Sequence, residues 1–541
     1  MAAESGRTAA PAVAGEQRGE TVANVVREVE RKYDGVGAAL PSLAGVTGVA
    51  SVSPPDEQVL DAVYYDTQDL RLIRAGVTLR RRSGGDDAGW HLKLPVVGHT
   101  ADTRDEIRLP PSDDPGPVPG ELAALVRART RGAALTPVVH MRTVRGRRRL
   151  LDDGGQPLAE IAVDAVSADP MNGSPAVSWD EIEVELVAGD RALLDDVDAR
   201  LRSAGARRAT SASKLERALA DRLRALSQGS DPARAGPRRP LTSHAAAGDV
   251  VLAYLAEQVR AITFYDPGVR RDEPDSVHQM RVATRRARSV LQAFRRLFEW
   301  PRVRLTCDEL KWLAAELGRA RDAEVLLARF TKELAAIPAE LVVGPIGARI
   351  TGHFTAELAL ARAAALRELD GKRYFALLDA VDALVADPPL TPLAASPAGE
   401  VLPRPLKRAS RRLERALALA RAQDGEQPSA ADAWDRDEDR DAAIHEARKA
   451  AKRVRYAAEA AWPALGGSAK RLASRTKKLQ QLLGEHHDNV VARAILRGIA
   501  REAHAAGEDT FTYGVLYERH SWQASQIEQS LRKPGHAFTP R

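Results

Sequence analysis

Charged side chains recur at every second residue in several short stretches of this 541-residue chain, a spacing that puts them on one face of a strand. In EVERK, Glu28, Glu30 and Lys32 share a face, with Val29 and Arg31 opposite. In EIEVEL, Glu181, Glu183 and Glu185 stand together against Ile182, Val184 and Leu186. The same rule groups Arg80 with Arg82, His91 with Lys93, Arg104 with Glu106 and Arg108, and Glu160 with Asp164. Clustered carboxylates offer hard oxygen ligands for Mg2+ or Mn2+, and the arginines and lysines beside them neutralise phosphate oxygens. Charged strands ordinarily form the wet outer face of a sandwich, yet the charge on successive strands here exceeds what wetting requires. Turned inward in a closed sheet, these faces would line a lumen fit for a triphosphate and a divalent metal.

A second chemistry is spaced for helices. Positions three, four and seven apart lie on one helical face, so His278, Arg281, Arg285 and Arg288 form one stripe. His445, Arg448, Lys452 and Arg455 repeat it. Farther on, Lys311 lies seven residues before Gly318, and Lys477 seven before Gly484. One basic helix face is usually only a solvated surface; its repetition points to a polyanion-binding surface. The histidines fit hydrogen bonding to phosphate or a neighbouring helix better than catalysis, and His486 and His487 are poor metal ligands, because the first repeat has Ala320 and Arg321 there. Among these helices no nucleophile, metal triad or glycine-rich phosphate loop stands out.

The elements that must carry these residues fall in two halves. Strand alternation dominates to about residue 215, broken by turn clusters such as SGGDDAG and LDDGGQP, which predicts a largely antiparallel sheet or barrel. A Pro/Gly/Ser-rich linker follows over 226–244. Helical periodicity then runs over 245–525 with an internal duplication: HQMRVATRRARSVL at His278 returns as HEARKAAKRVRYAA at His445, and ELGRARDAEVL returns as LLGEHHDNVVA. The repeats are expected at about 245–385 and 400–525, with tails at 1–22 and 526–541, the first of them disordered. Composition, 28% charged and 44% apolar, is that of a folded chain rather than a disordered one. No run of about 18 apolar residues predicts a membrane span, and the N-terminus has no secretory pattern. A lone cysteine, Cys307, excludes internal disulfides and cysteine-cluster metal sites, and a reduced, cytoplasmic setting is expected. The net charge of +6 conceals a division. Residues 1–230 carry 30 basic and 34 acidic groups, and residues 231–541 carry 50 and 40, so the two halves are expected to meet different partners.

The first half resembles the CYTH family, the triphosphate tunnel metalloenzymes. EVERK matches the family's ExExK signature, and the likeness continues through YYDTQDLRLIRAGVTLRRR, GWHLKLP, TRDEIRL, LAEIAVD, EIEVELVAGD and SASKLERAL. This resemblance implies an eight-stranded antiparallel tunnel over 23–225. It implies Glu28 and Glu30, with Glu183 and Glu185, as metal-holding acids, and Lys32 as the catalytic lysine that contacts phosphate or helps deprotonate water. Arg80, Arg82, Lys93, Arg104 and Lys214 correspond to triphosphate ligands, and Glu106, Asp164 and Glu181 to further tunnel residues. In HMRTVRGRRR, either Arg142 or Arg145 suits the lumen.

The second half resembles the CHAD family, the conserved-histidine α-helical domain, through both copies of its motifs in the same order. That likeness implies two four-helix bundles whose basic surface binds inorganic polyphosphate. The residues matched are His278, Arg281, Arg285, Arg288, His445, Arg448, Lys452 and Arg455, with Lys311 and Lys477 added. The whole chain is thus expected to be an α+β multidomain protein that hydrolyses inorganic triphosphate, or a related triphosphate, with Mg2+ or Mn2+, and is held at polyphosphate or its granules. A non-enzymatic granule scaffold is the alternative, and the tunnel family also includes thiamine triphosphatases and adenylyl cyclases. Aromatic residues, at 4%, favour a base-free polyanion over single-stranded nucleic acid, which proteins hold by stacking; duplex phosphates remain open.

Overall fold

The structure, a computed structural model, describes residues 24–34, 40–43, 45–96, 98, 102–111, 116–228, 240–422 and 432–532. The expected N-terminal tail and most of the linker lie outside them. The chain divides into two compact units, one of Met1–Ala123 with Ala133–Pro232, the other of Ala124–Gly132 with Ala233–Arg541.

The first unit is built on ten strands: β1 (Asn24–Asp34), β2 (Ser51–Val52), β3 (Asp56–Asp66), β4 (Thr78–Ser83), β5 (Gly89–Pro95), β6 (Thr103–Leu109), β7 (Thr136–Leu151), β8 (Pro157–Pro170), β9 (Val177–Leu186) and β10 (Arg207–Arg208). Eight of them run β1-β6-β5-β4-β3-β7-β8-β9, all antiparallel, and β9 pairs back to β1. That last pairing, with Glu30 opposite Glu185 and Lys32 opposite Glu183, closes the barrel. The two-residue β2 and β10 are added to β7 and β1.

Alternation has here the polarity expected of a charged lumen. Ile182 and Val184 of β9, with Ile161 of β8 and Tyr33 of β1, point outward and are buried under a helix. Of the helices in this part of the chain, α1 (Arg71–Arg74), α2 (Gly120–Thr130, most of it in the second unit), α3 (Arg191–Ser203), α4 (Lys214–Ala218) and α5 (Ala220–Gln228), that cover is α3. Asp190 caps α3 by accepting from the Leu193 N–H at 3.0 Å, and its Leu193, Leu194, Val197 and Leu201 complete the outer core. Ser213 caps α4 by accepting from the Glu216 N–H at 3.1 Å. Leu215 and Leu219 then seat against Tyr64, Val139, Val166 and Ala168, so α4 lies at one end of the barrel and directs Lys214 inside.

The second unit is helical. Its first repeat holds α6 (Ala247–Arg270), α7 (Ser276–Ala293), α8 (Trp300–Leu334) and α9 (Ile346–Leu369), each packed on the next, with α10 (Lys372–Ala386) against α6 and α8. After the short α11 (Ala398–Val401), the second repeat holds α12 (Pro403–Ala422), α13 (Asp432–Leu465), α14 (Gly467–Ala505) and α15 (Phe511–Arg532), again packed in series. The duplicated motifs therefore fall on equivalent helices, α7 with α13 and α8 with α14. The repeats share cores: Tyr456, Ala457 and Ala460 of α13 pack with α6 and α7, and Phe330 and Phe354 pack with Ile499 and Tyr513. Helix α15 continues into the segment read as a tail from residue 526, because Ile527 and Leu531 close a core with Leu413, Leu417 and Ile444. Cys307 is buried in α8 as the small apolar residue its context predicts. No helix among the described residues is long and apolar enough to cross a membrane.

Candidate functional site

The barrel encloses a cavity of about 340 Å³ whose wall is mostly charged. All thirteen residues assigned to the tunnel from sequence have side chains on the inward-facing strand positions or on α4, and eleven of them line this cavity directly; Asp164 and Glu181 lie behind Lys214.

The end near α4 is a closed ion-pair network. Lys214 Nζ lies 2.9 Å from Asp164, 2.7 Å from Glu181 and 2.6 Å from Glu183. Arg145 donates to Asp164 at 2.8 and 2.6 Å and to Glu183 at 2.5 Å, which settles that Arg145 faces in; Arg142 is exposed. Lys32 pairs with Glu183 and, at 3.2 Å, with Glu30. Burial would raise the Glu183 carboxyl, but Lys214, Lys32 and Arg145 hold it well below the carboxylate range.

Toward the middle, Lys93 reaches Glu28 at 2.5 Å and Glu106 at 3.7 Å. Arg80 donates to the Tyr64 hydroxyl at 3.3 Å and lies 3.9 Å from Glu106, while Arg104, opposite Glu28 in the sheet, donates to the Ala212 carbonyl at 2.9 Å. Burial would lower Lys93, yet Glu28, Glu30 and Glu106 raise it above its ordinary value. Burial likewise would raise Glu30, and Lys32 and Lys93 hold it at about 2.

One acid stands apart. Glu185 faces Glu30 on β1 and Glu160 on β8, three carboxylates in one cross-strand row, and like charges so placed repel. Among the described residues it has neither an ion pair nor a hydrogen bond. Burial, then Glu28, Glu30 and Glu183, push its carboxyl up to about 7. Glu28 is also raised, chiefly by burial. Hard oxygens on adjacent strands, with Glu185 among them unpaired in the described residues, have the chemistry of a divalent-cation site. Of the four acids assigned to metal, Glu28 and Glu30 lie on β1 and Glu185 on the adjacent β9, whereas Glu183 is already crowded by Lys214, Lys32 and Arg145. The acidic trio Asp164, Glu181 and Glu183 is close enough to hold an ion, but Lys214 and Arg145 occupy it.

At the end away from α4, Arg108 approaches Glu28 at 3.4 Å and pairs with Glu106, and Arg147 lies 3.8 Å from Glu160. Arg82 pairs with Asp87; burial, with Arg80 and Arg145 adding, pulls its guanidinium down to about 9. His91 joins Glu106 through Nδ1 at 2.9 Å to the Asp87 carbonyl through Nε2 at 2.8 Å. Tyr64, Arg147, Asp86 and Asp87 line the cavity without having been singled out from sequence. Period-two spacing from Arg145 marks Arg147; nothing in the sequence marks a turn such as Asp86-Asp87 as part of a lumen.

In the helical unit, α7 and α13 bring Arg281, Arg285, Arg448 and Lys452 into one cationic cluster, in which burial and the charges of Arg281 and Arg285 lower both Arg448 and Lys452. Burial, then Arg285, Arg448 and Arg281, push Lys452 down to about 6, and it has no ion pair among the described residues. His278 lies by Arg321, Arg285 and Arg281, and burial lowers it. His445 meets His487 with their Nδ1 atoms 3.3 Å apart; burial and nearby Arg448 bring His487 to about 3. The repeated glycines and aspartates orient the arginines. Arg281 lies across Gly318, its Nη2 3.3 Å from where a Cβ would stand, and pairs with Asp322 at 2.9 Å. Arg448 lies by Gly484 and 3.8 Å from Asp488. Sequence spacing finds the arginines but not this role of the glycine and aspartate.

Not every assigned residue joins the cluster. Arg455 is taken up by Glu459 at 2.7 Å and Gln480 at 3.2 Å. Arg288 lies toward Arg453, and Lys311 and Lys477 are exposed on α8 and α14 with no ion pair or hydrogen bond among the described residues tying them in. His486 is buried against Glu528 at 2.9 Å and Asp441 at 3.6 Å. These three could hold a metal by distance, but Arg440 and Arg493 already answer the two acids.

Comparison with known proteins accords with both halves. The CYTH domain family matches residues 26–219 and the CHAD domain family residues 253–497. Two Mycobacterium tuberculosis proteins, uncharacterized protein MT2285 of strain CDC 1551 and uncharacterized protein Rv2226 of strain H37Rv, are each 39% identical over 94% of this chain and 96% of their own. Among solved structures, PptA from Streptomyces chartreusis aligns with 53% of this chain and 98% of its own, at 23% identity and a TM-score of 0.44. The CHAD domain from the plant Ricinus communis aligns with 56% and 96%, at 26% identity and a TM-score of 0.43. Because the likeness to the mycobacterial pair runs through barrel and helices alike, the chain belongs with them to one family, in which a CYTH domain is joined to a CHAD domain.

Proposed function

We propose that the barrel hydrolyses inorganic triphosphate, or a closely related triphosphate, with Mg2+ or Mn2+, and that the helical domain binds inorganic polyphosphate and holds the protein at it. The observation that carries the reading is the lumen: a closed barrel in which Arg80, Lys93, Arg104 and Lys32 line a cavity together with the carboxylates of Glu28, Glu30 and Glu185, the last of them unpaired among the described residues. When bound, a divalent cation there would supply Lewis-acid charge to phosphate oxygens.

The chain's own residues do the rest. Arg80, Lys93 and Arg104 hold phosphate oxygens and stabilise the negative charge that shifts to the leaving diphosphate, using donors already in place. Lys214 and Arg145 fix Glu183, and Glu183 with Glu30 fixes the Lys32 ammonium at the cavity wall. There Lys32 orients the phosphate or the attacking water. In the helical domain, Arg281, Arg285, Arg448 and Lys452 gather positive charge with one close acid at Arg281 and one at Arg448, an arrangement that calls for an external polyanion. The domain boundaries proposed are those of the sequence reading, with the second repeat extended through α15.

The test is a panel of tripolyphosphate, long-chain polyphosphate, ATP and thiamine triphosphate with several divalent metals. Metal-dependent phosphate release from tripolyphosphate above the others is the expected result; a folded protein with no turnover across the metal and pH range would sink the enzymatic reading and leave a binding scaffold.

A further inference from the structure

The turn between β4 and β5 carries Gly84-Gly85-Asp86-Asp87, and its two carboxylates reach back to the barrel's cations. Asp87 pairs with Arg82, whose side chain is 7% exposed. Asp86 lies 2.9 Å from Arg147, which also holds Asp56 at 2.7 Å. Both aspartates line the cavity, at the end away from the α4 plug.

The turn is built to be there. Gly84 has φ +79°, and a Cβ on it would stand 2.2 Å from the Val59 carbonyl oxygen, so only glycine lets the turn fold down on β3. His91 fastens the Asp87 backbone from below at 2.8 Å. The carboxylates thus sit where the next phosphate of a chain leaving the lumen would sit, on the same guanidinium donors.

Resting on the triphosphate reading of the lumen, we propose that Asp86 and Asp87 are a tethered anion at its mouth that competes with phosphate for Arg82 and Arg147 and sets chain-length selectivity. A triphosphate deep in the lumen has the Arg80, Lys93 and Arg104 donors to itself. Any chain that extends farther must displace the aspartates from Arg82 and Arg147 or lie against them charge to charge. Short chains are accepted and long polyphosphate is disfavoured as a barrel substrate, although the helical domain of the same protein binds it.

The variants are Asp86→Asn, whose carboxylate is exposed and outside any core, and Asp86→Asn with Asp87→Asn. Both are made in the full chain carrying Arg281→Glu and Arg448→Glu, so that the helical cluster does not itself retain polyphosphate. KM is read from phosphate release, and affinity from calorimetry, with tripolyphosphate and long-chain polyphosphate as probes. The double variant should bind tripolyphosphate about threefold and long-chain polyphosphate about tenfold more tightly, and the single variant should move the same way by less. Asp86→Glu with Asp87→Glu should stay near the parent. A parent that binds or cleaves tripolyphosphate, with asparagine variants that bind neither chain more tightly or shift both equally, overturns the gate alone. A parent that neither binds nor cleaves tripolyphosphate overturns the lumen reading and the gate with it.

Discussion

Glu185 and Lys452 are half-buried without an ion pair among the described residues, and each gives a measurable pH dependence. Glu185, at about 7 without metal, must lose its proton to hold a cation. Mn2+ affinity is therefore expected to fall by roughly tenfold per pH unit below about 7, and Glu185→Gln should lower the affinity and flatten that dependence; calorimetry across pH 5.5–8 reads both. Lys452 gives the opposite sign. At about 6 when folded against 10.5 in a free chain, it binds fewer protons folded than unfolded, so its contribution makes stability rise as pH climbs from about 6 toward 10.5. A bound polyanion favours the ammonium, so polyphosphate binding near pH 7.5 should take up protons and tighten as pH falls. Titrations in two buffers of different ionisation enthalpy measure the uptake, and Lys452→Met should remove most of it. His278, His445 and His487, also lowered, account for what remains.

At the scale of the element, each half is a frame that forces charged groups into proximity. The barrel does so by closing β9 onto β1, which places Glu185 between Glu30 and Glu160; α4 does so by bringing Lys214 under three acids. The helices do so by crossing α7 over α8 and α13 over α14 at a glycine. A mid-helix glycine costs about 1 kcal/mol relative to alanine, so its presence needs a reason, and the two repeats differ in it. At Gly318 a Cβ would press on the Arg281 guanidinium at 3.3 Å, whereas at Gly484 the nearest atom, Arg448 Nε, is 3.8 Å away. Gly484→Ala is expected to raise the melting temperature with polyphosphate affinity unchanged. Gly318→Ala should weaken polyphosphate binding severalfold without loss of stability. Equal behaviour of the two variants in thermal melts and binding assays would remove the asymmetry.

For the whole molecule, the proposed function has the two halves handle phosphate by different means, one with acids and cations interleaved, the other with cations gathered. Their separation is testable in one chain. Glu28→Gln with Glu30→Gln should abolish metal-dependent turnover while polyphosphate binding persists. Arg281→Glu with Arg448→Glu should weaken polyphosphate binding and flatten its dependence on salt, since fewer counterions are released, while tripolyphosphate turnover persists. Loss of both activities in either folded variant, read by phosphate release and by filter binding at several salt concentrations, would show that the functions are not modular. On the proposed function, the net charges of the two halves, mildly acidic and basic, correspond to two modes of phosphate binding.

Much of this was legible in the chain. Period-two alternation in EVERK and EIEVEL and period-3.6 stripes at His278 and His445 are local properties, fixed by backbone geometry whatever the partner, so the strands, the helices, the duplication and most inward-facing charges follow from sequence. What the tertiary structure decided is which charges meet. Closure of the barrel left Glu185 without an ion pair among the described residues and surrounded Glu183 with three cations; it turned Arg145 inward and Arg142 outward, and it folded Asp86 and Asp87 over the lumen from a turn with no periodicity to read. Packing of α7 on α13 joined Arg281, Arg285, Arg448 and Lys452 and left Lys311 and Lys477 on the surface. A side chain's face is set by its own strand or helix, but its charge is balanced by residues tens to hundreds of positions away, and only the closed fold brings those together.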